Sequence, residues 1–341
     1  CFTYCFEEAE YDECSRVKPV LQGTSVRHYA TPVHPDGMLE RLDTLVRTLE
    51  EPSGGLGIFG YWLNSRTVSE HGIKVLLDGQ GADEGFAGYK YYYGARFGDL
   101  ERAGDLDHMR KELRDFSAVH GKTVEYPSIE FEQLVVRPAS ATLMRAPDGT
   151  AMESDYLTRD FAEEYLEGSV EISTPFDDPV KAAMYRDLFY LKIPKLLRFQ
   201  DRCAMAWSVE VRVPYLDHVL LEELFRTPTP TLLSEGITKT LLRRIASRYM
   251  PVKHRETPKL YVSTPQREWL KSRLRGDVQE LIDESALAAD GYVDARLLRG
   301  QYDAYCASPE LGNSFFVWKF INLELWYRNF ASGWLAPGHT A

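Results

Sequence analysis

Apolar residues recur at helical spacing over most of this chain, and a few short apolar runs interrupt that spacing. Met38–Leu49, MLERLDTLVRTL, places apolar residues three and four apart, which predicts an amphipathic helix. Phe59–Ser69 predicts another, and Asp12–Leu21 is helix-like. Phe2–Phe6, Val26–Ala30 and Ile73–Leu77 are short and β-prone, and predict strands. Strand, helix, strand, helix, strand in this order implies a parallel sheet with crossover helices. From about Tyr91 the β signal fades. Leu100–Val119 is charged and helical, and Val124–Gly149, with Pro127, Pro138 and Pro147, reads as a loop-rich connection. Ala182–Leu197, continuing through Ala206, returns to helix, and Phe315–Phe330 carries enough aromatic area for a buried final helix. The predicted class is α/β, a parallel sheet with flanking helices that continues into a mostly helical C-terminal half.

Composition narrows the function. The chain has 341 residues, with 40 basic against 51 acidic side chains and a net charge of −11. That balance argues against a general nucleic-acid binder, which would show a basic face. No run approaches the roughly 20 apolar residues that span a bilayer, so no membrane role is expected. CFTYCFEEAEYDE lacks the basic start and apolar core of a signal peptide. Five scattered cysteines, Cys1, Cys5, Cys14, Cys203 and Cys306, show no paired CxxC spacing. They predict reduced thiols in the cytoplasm and argue against a structural zinc site. Cys1 as an N-terminal nucleophile is disfavoured, because Phe2–Phe6 has the pattern of an interior strand.

Candidate chemistry begins at Val75–Tyr89, VLLDGQGADEGFAGY. A strand ending in a glycine-bent acidic loop brings backbone amides and carboxylates to the C-terminal edge of a sheet, where ligands bind in open α/β folds. Carboxylates there suit a hard cation such as Mg²⁺. The plainer alternative is a strand–turn–helix joint with Asp78 or Asp83 as a helix cap. Three later segments add to the picture: Leu196–Asp217 (LLRFQDRCAMAWSVEVRVPYLD), Gly236–Arg243 (GITKTLLR) and Arg255–Pro265 (RETPKLYVSTP). Arg198 and Arg202 fall on one helical face. Glu210 and Arg212 alternate in an extended stretch and would point to one side.

Together these segments resemble the synthetase domain of the asparagine synthetase family. That family's glycine-rich GADE loop, LLR-x-x-DR, EVRVP-[FY]-LD, TK-x-LLR and late lysine loop all occur here in order. The resemblance runs from Phe2 to about Arg328. It implies an adenine nucleotide α-hydrolase-like fold and a single unit, divided into a nucleotide-binding part (1–100), a helical and loop insertion (101–175) and a helical part (176–341). It also implies ATP and Mg²⁺ as cofactors, adenylation of a carboxylate with release of pyrophosphate, and displacement of AMP by ammonia or an amine. By motif match Asp83 would hold Mg²⁺, and Gln80 would sit near the substrate or acyl-adenylate. Asp78, Gly79 and Tyr4 would border the nucleotide, and Lys239 and Lys259 would stabilise pyrophosphate. Arg202 and Glu210 would place substrate; the structural alternative is an ion pair between them. Asp217 is predicted to cap a helix, and Tyr91–Tyr93 to serve packing.

The match breaks at one feature. The family's phosphate loop, SGGxDSS, is absent; Ser53-Gly54-Gly55-Leu56-Gly57 resembles it but follows the predicted helix 38–49 and is read as a substrate loop, Glu51–Gly57. Phe2–Phe6 corresponds to the family's second strand. The strand, phosphate loop and helix preceding it, and a glutaminase domain or subunit supplying ammonia, are expected outside these residues. Aspartate is the favoured acid. Asp78 and Gln80, where asparagine-forming members often carry Ser and Glu, leave open another small-molecule or peptide carboxylate: a β-lactam precursor, a lasso-peptide acid or a sugar uronate. A non-catalytic scaffold subunit is the alternative of a different class.

Overall fold

The computed structural model describes residues 1–135, 156–159, 172–249 and 263–332. It is a mixed α/β structure with two small parallel sheets instead of the single expected one. Strand β1 (Phe2–Cys5) pairs with β2 (Tyr29–Pro32), Phe2 opposite Tyr29 and Cys5 opposite Pro32. Strand β3 (Val75–Leu77) pairs with β4 (Glu210–Arg212), Val75 opposite Glu210 and Leu77 opposite Arg212. Both sheets lie on the same helical layer. Phe2 from β1 and Leu76 from β3 pack against one cluster built on Val68, Ala204 and Val209. Among the described residues no strand joins β1 to β3, so each keeps one free edge. The outer face of β3 is bare: Val75 is 42% and Leu77 69% exposed.

The helices follow from their patterns with two informative departures. Met38–Leu49 forms as expected, burying Met38, Leu42, Leu45, Val46 and Leu49 on one face. The helix predicted over 182–206 is divided into Pro179–Arg186, a π-turn at Asp187–Leu191 and Ile193–Met205. Pro194 lacks an N–H and is tolerated only in a first turn, so a new helix starts there. The predicted Leu100–Val119 helix becomes Tyr91–Arg102 and Leu106–His120, parted at Gly104, whose φ is +72°. Asp105 then caps the second helix by accepting from the His108 N–H.

Among the described residues two larger hydrophobic cores stand beside the small cluster under the sheets. One packs Met38–Leu49 and Leu56–Glu70 against Phe199, Cys203 and the final helix Phe315–Phe330. The other joins Phe86–Leu100 and Met109–Phe131 to Val180, Met184 and Leu224–Leu233. Fold geometry also overturns the expectation of five separate thiols. Cys5 at the end of β1 and Cys14 at the start of the Cys14–Leu21 helix are joined as a disulfide, because the helix packs beside that strand.

Candidate functional site

The loop after β3 is built by close approach. Gly81 adopts φ +89°, and a Cβ there would overlap Leu216 in the segment after β4. Only glycine lets the GQGADE and EVRVPYLD motifs lie this close. A Cβ on Gly88 would overlap the Asp83 carboxylate, so this second glycine leaves room for that side chain. Asp78 continues the β3–β4 pairing, donating its N–H to the Arg212 carbonyl at 2.9 Å. Its Oδ1 accepts the Gln80 N–H at 3.2 Å, which folds Gly79 outward.

Asp83 meets Lys239 across the edge, with Nζ 2.9 Å from Oδ1 and both side chains mostly shielded from solvent. Lys239 immediately precedes the Thr240–Ala246 helix at φ +56°, a left-handed conformation uncommon for a residue with a Cβ. Arg243, one turn further, donates from Nε to the Thr238 carbonyl at 2.9 Å. Burial pushes its pKa down, and the negative charge of Asp83 pushes it back up. Asp83 therefore lies in the field of two cations from one segment.

A second acidic position is Asp78. Burial raises its pKa, while the amides of Gln80 and Gly79 and the side chains of Gln200 and Tyr61 favour the charged form. The Tyr61 hydroxyl and Gln200 Nε2 are buried and, among the described residues, complete no hydrogen bond of good geometry. Tyr4 borders the same space. Its ring would lie 2.7 Å from a Cβ on Gly60, and burial, then Glu13 and Asp78, push its hydroxyl up to about 12.

The remaining predicted residues are placed differently. Arg202 and Glu210 do not pair with each other. Arg202 binds Glu50 at 2.7 Å, beside Arg198–Glu51 at 2.6 Å, and Glu210 binds Arg212 at 2.8 Å in the open. The alternative of a pair between them fails because the helix Ile193–Met205 turns both arginines toward the end of the Met38–Leu49 helix. The loop Glu51–Gly57 is not arranged as a free phosphate cradle. The Ser53 N–H and hydroxyl donate to Asn322 Oδ1, and the Leu56 N–H donates to Gln266 Oε1. Asp217 caps a helix as expected, accepting from the Val219 and Leu220 amides. Tyr92 and Tyr93 are buried. Lys259 lies outside the described residues.

Behind the loop, Tyr89 donates to Glu84 at 2.6 Å, and Tyr91 and Tyr92 both donate to Asp187. Lys192 Nζ stands 4.0 Å from the centre of the Tyr89 ring. Residues missed in the sequence are Tyr61, Gln200, Asp187 and Arg243. Only Arg243 carried a signal, its four-residue spacing from Lys239.

The sequence profile of the asparagine synthase family matches residues 1–328. The chain belongs to this family. A Mycobacterium bovis protein provisionally named a glutamine-hydrolyzing asparagine synthetase is 26% identical, over 98% of this chain and 51% of its own length. Glutamine-hydrolyzing asparagine synthetase 1 of Bacillus subtilis is 23% identical, over 96% of this chain and 51% of its own. Amidase chyE of Penicillium rubens is 24% identical, over 86% and 48%. The chain thus spans about half the length of these relatives.

Proposed function

We propose that these residues form the synthetase part of an ATP-dependent, amide-forming carbon–nitrogen ligase that adenylates a carboxylate, aspartate first among candidates. The contact between Asp83 and Lys239 carries the reading. It sets a hard-oxygen donor beside a cation at the C-terminal edge of β3 and β4, with Gly79 and Gln80 in the same loop.

The donor set fits Mg²⁺. This ion binds through one or two carboxylates when a nucleotide supplies phosphate oxygens, and Asp83 is a carboxylate whose side chain Gly88 accommodates at this edge. Bound there, the ion would neutralise charge on the triphosphate. Lys239 would stabilise the departing pyrophosphate, in the manner of preorganised charge, and Lys259 is proposed to join it. Gly79 and Tyr4 would border the nucleotide with Asp78. Gln80 would contact the acyl group, and Arg202 and Glu210 would help place substrate. Ammonia would come from a glutaminase domain or subunit.

A phosphate loop supplied by a further segment would fit in the gap between the sheets. A fifth parallel strand between the free edges of β1 and β3 would unite them into one sheet, as in adenine nucleotide α-hydrolase-like folds. The loop following it would open beside Tyr4, Asp78 and Asp83. A different acid is the second reading, favoured by the uncharged Gln80 and by a relative named an amidase.

The test is exchange of labelled pyrophosphate into ATP by the complete polypeptide, with a panel of acids. Aspartate should stimulate exchange, D83A should abolish it, and K239M should lower it by about 10²–10³-fold. Exchange unchanged in D83A would remove the metal assignment. Stimulation by another acid alone would reassign the substrate.

A further inference from the structure

Cysteine spacing argues against zinc, yet the fold gathers a donor set that spacing does not reveal. Cys5 ends β1, Cys14 opens the following helix, Asp12 lies in the turn before it, and His28 directly precedes β2. One ligand atom each from Cys5, Asp12 and Cys14 lies within 4.8 Å of the others. The His28 ring stands next to this group, its Nε2 4.0 Å from Cys14 Sγ. Cys14 is buried, and Cys5, Asp12 and His28 are half-buried. Among the described residues no other group of three such donors converges.

The carboxylate is already oriented. Asp12 accepts the Cys14 N–H at 2.9 Å and the Ser15 N–H at 3.1 Å, which leaves lone pairs on both oxygens. Two sulfurs, an imidazole nitrogen and a carboxylate oxygen are the ligand types of a tetrahedral zinc centre. Three of the four groups come from the segment Cys5–Cys14 and the fourth from the residue before the neighbouring strand, so the folded junction brings them side by side.

We propose that, once the Cys5–Cys14 disulfide is reduced, Cys5, Cys14, His28 and Asp12 bind one Zn²⁺. Reduction breaks the S–S bond with two electrons and two protons from a dithiol, which is oxidised to its own disulfide. Zinc then displaces the two thiol protons to solvent and takes both thiolates. The junction between β1 and its helix is thus closed either by a disulfide or by a metal, one residue beyond Tyr4.

The test uses the chain reduced with dithiothreitol under argon, freed of reductant and titrated with Co²⁺, then Zn²⁺. One Co²⁺ per chain should bind, with the intense thiolate-to-cobalt charge-transfer band and the visible bands of a tetrahedral ion, and Zn²⁺ should displace it. C5S and C14S should each lose the charge-transfer band, while the C1S/C203S/C306S triple variant should keep it. Loss of an outer-shell partner alone typically weakens a metal site about 10–100-fold. H28A should therefore weaken Co²⁺ binding by at least about tenfold. The proposal is overturned if the reduced chain shows no band, or if the band survives C5S and C14S. It is also overturned if the triple variant loses the band, or if H28A binds as tightly as the parent.

Discussion

Asp83 and Lys239 were legible one residue at a time, because each occupies a short motif whose neighbours constrain it. Their contact at 2.9 Å turns two separate expectations into one edge. Arg202 and Glu210 were not legible in the same way. Their partners, Glu50 and Arg212, depend on which faces of a helix and a strand turn outward, and the Glu50 contact depends on a distant segment. Asp187 was invisible for a related reason: nothing in DLFYL shows that Tyr91 and Tyr92 reach it. It yields a prediction with a definite sign. Burial raises the Asp187 pKa, against the lowering by the two tyrosines, Lys192 and Arg186. A raised carboxyl contributes stability that is fully present below its unfolded pKa and is lost as pH rises through the folded value. The melting temperature of the parent should therefore fall relative to that of D187N as pH rises from about 4 to 7. Parallel pH profiles for the two proteins would exclude that coupling.

Two strongly amphipathic or aromatic helices and the first strand match their predicted positions, whereas the second strand and the breaks within two helices do not. Met38–Leu49 and Phe315–Phe330 form at the predicted boundaries, since their apolar faces decide both ends. The second strand was expected at Val26–Ala30 and forms at Tyr29–Pro32, where it can pair with Phe2–Cys5 and bury Thr31. Val26 is left half exposed. The π-turn at Asp187–Leu191 has no periodic signature at all. The loop after β3 was legible as a glycine-rich turn, but its need for glycine at Gly81 comes from Leu216. G81A adds both a positive-φ penalty and an overlap, and should destabilise by about 1–3 kcal/mol. Denaturant unfolding measures this, and a loss below about 0.5 kcal/mol would mean the two motifs are not locked together.

The whole molecule departs from expectation in its sheet, and the departure is physical. Parallel strands are ordinarily covered on both faces, yet Val75 and Leu77 stand in the open, and β1 and β3 share a helical floor without pairing. Local patterns find strands but not the strand that would lie between them. A fifth strand with its own helix would cover Leu77, so L77K should behave differently in two contexts. In residues 1–341 alone, where Leu77 is 69% exposed, it should change stability by no more than about 0.5 kcal/mol. In a polypeptide that supplies such a strand it should cost about 1.5–3 kcal/mol, the value of burying a leucine. Equal effects in both would leave the gap unfilled.

Adenylation of a carboxylate is proposed at the edge formed by Asp83, Lys239 and Gln80. Its most direct measurement follows heavy oxygen from a labelled aspartate carboxylate during turnover of the complete polypeptide with ATP. Attack on the α-phosphorus predicts that a single labelled oxygen passes into AMP, with unlabelled pyrophosphate. AMP without label, or label found in inorganic phosphate alongside ADP, would contradict it.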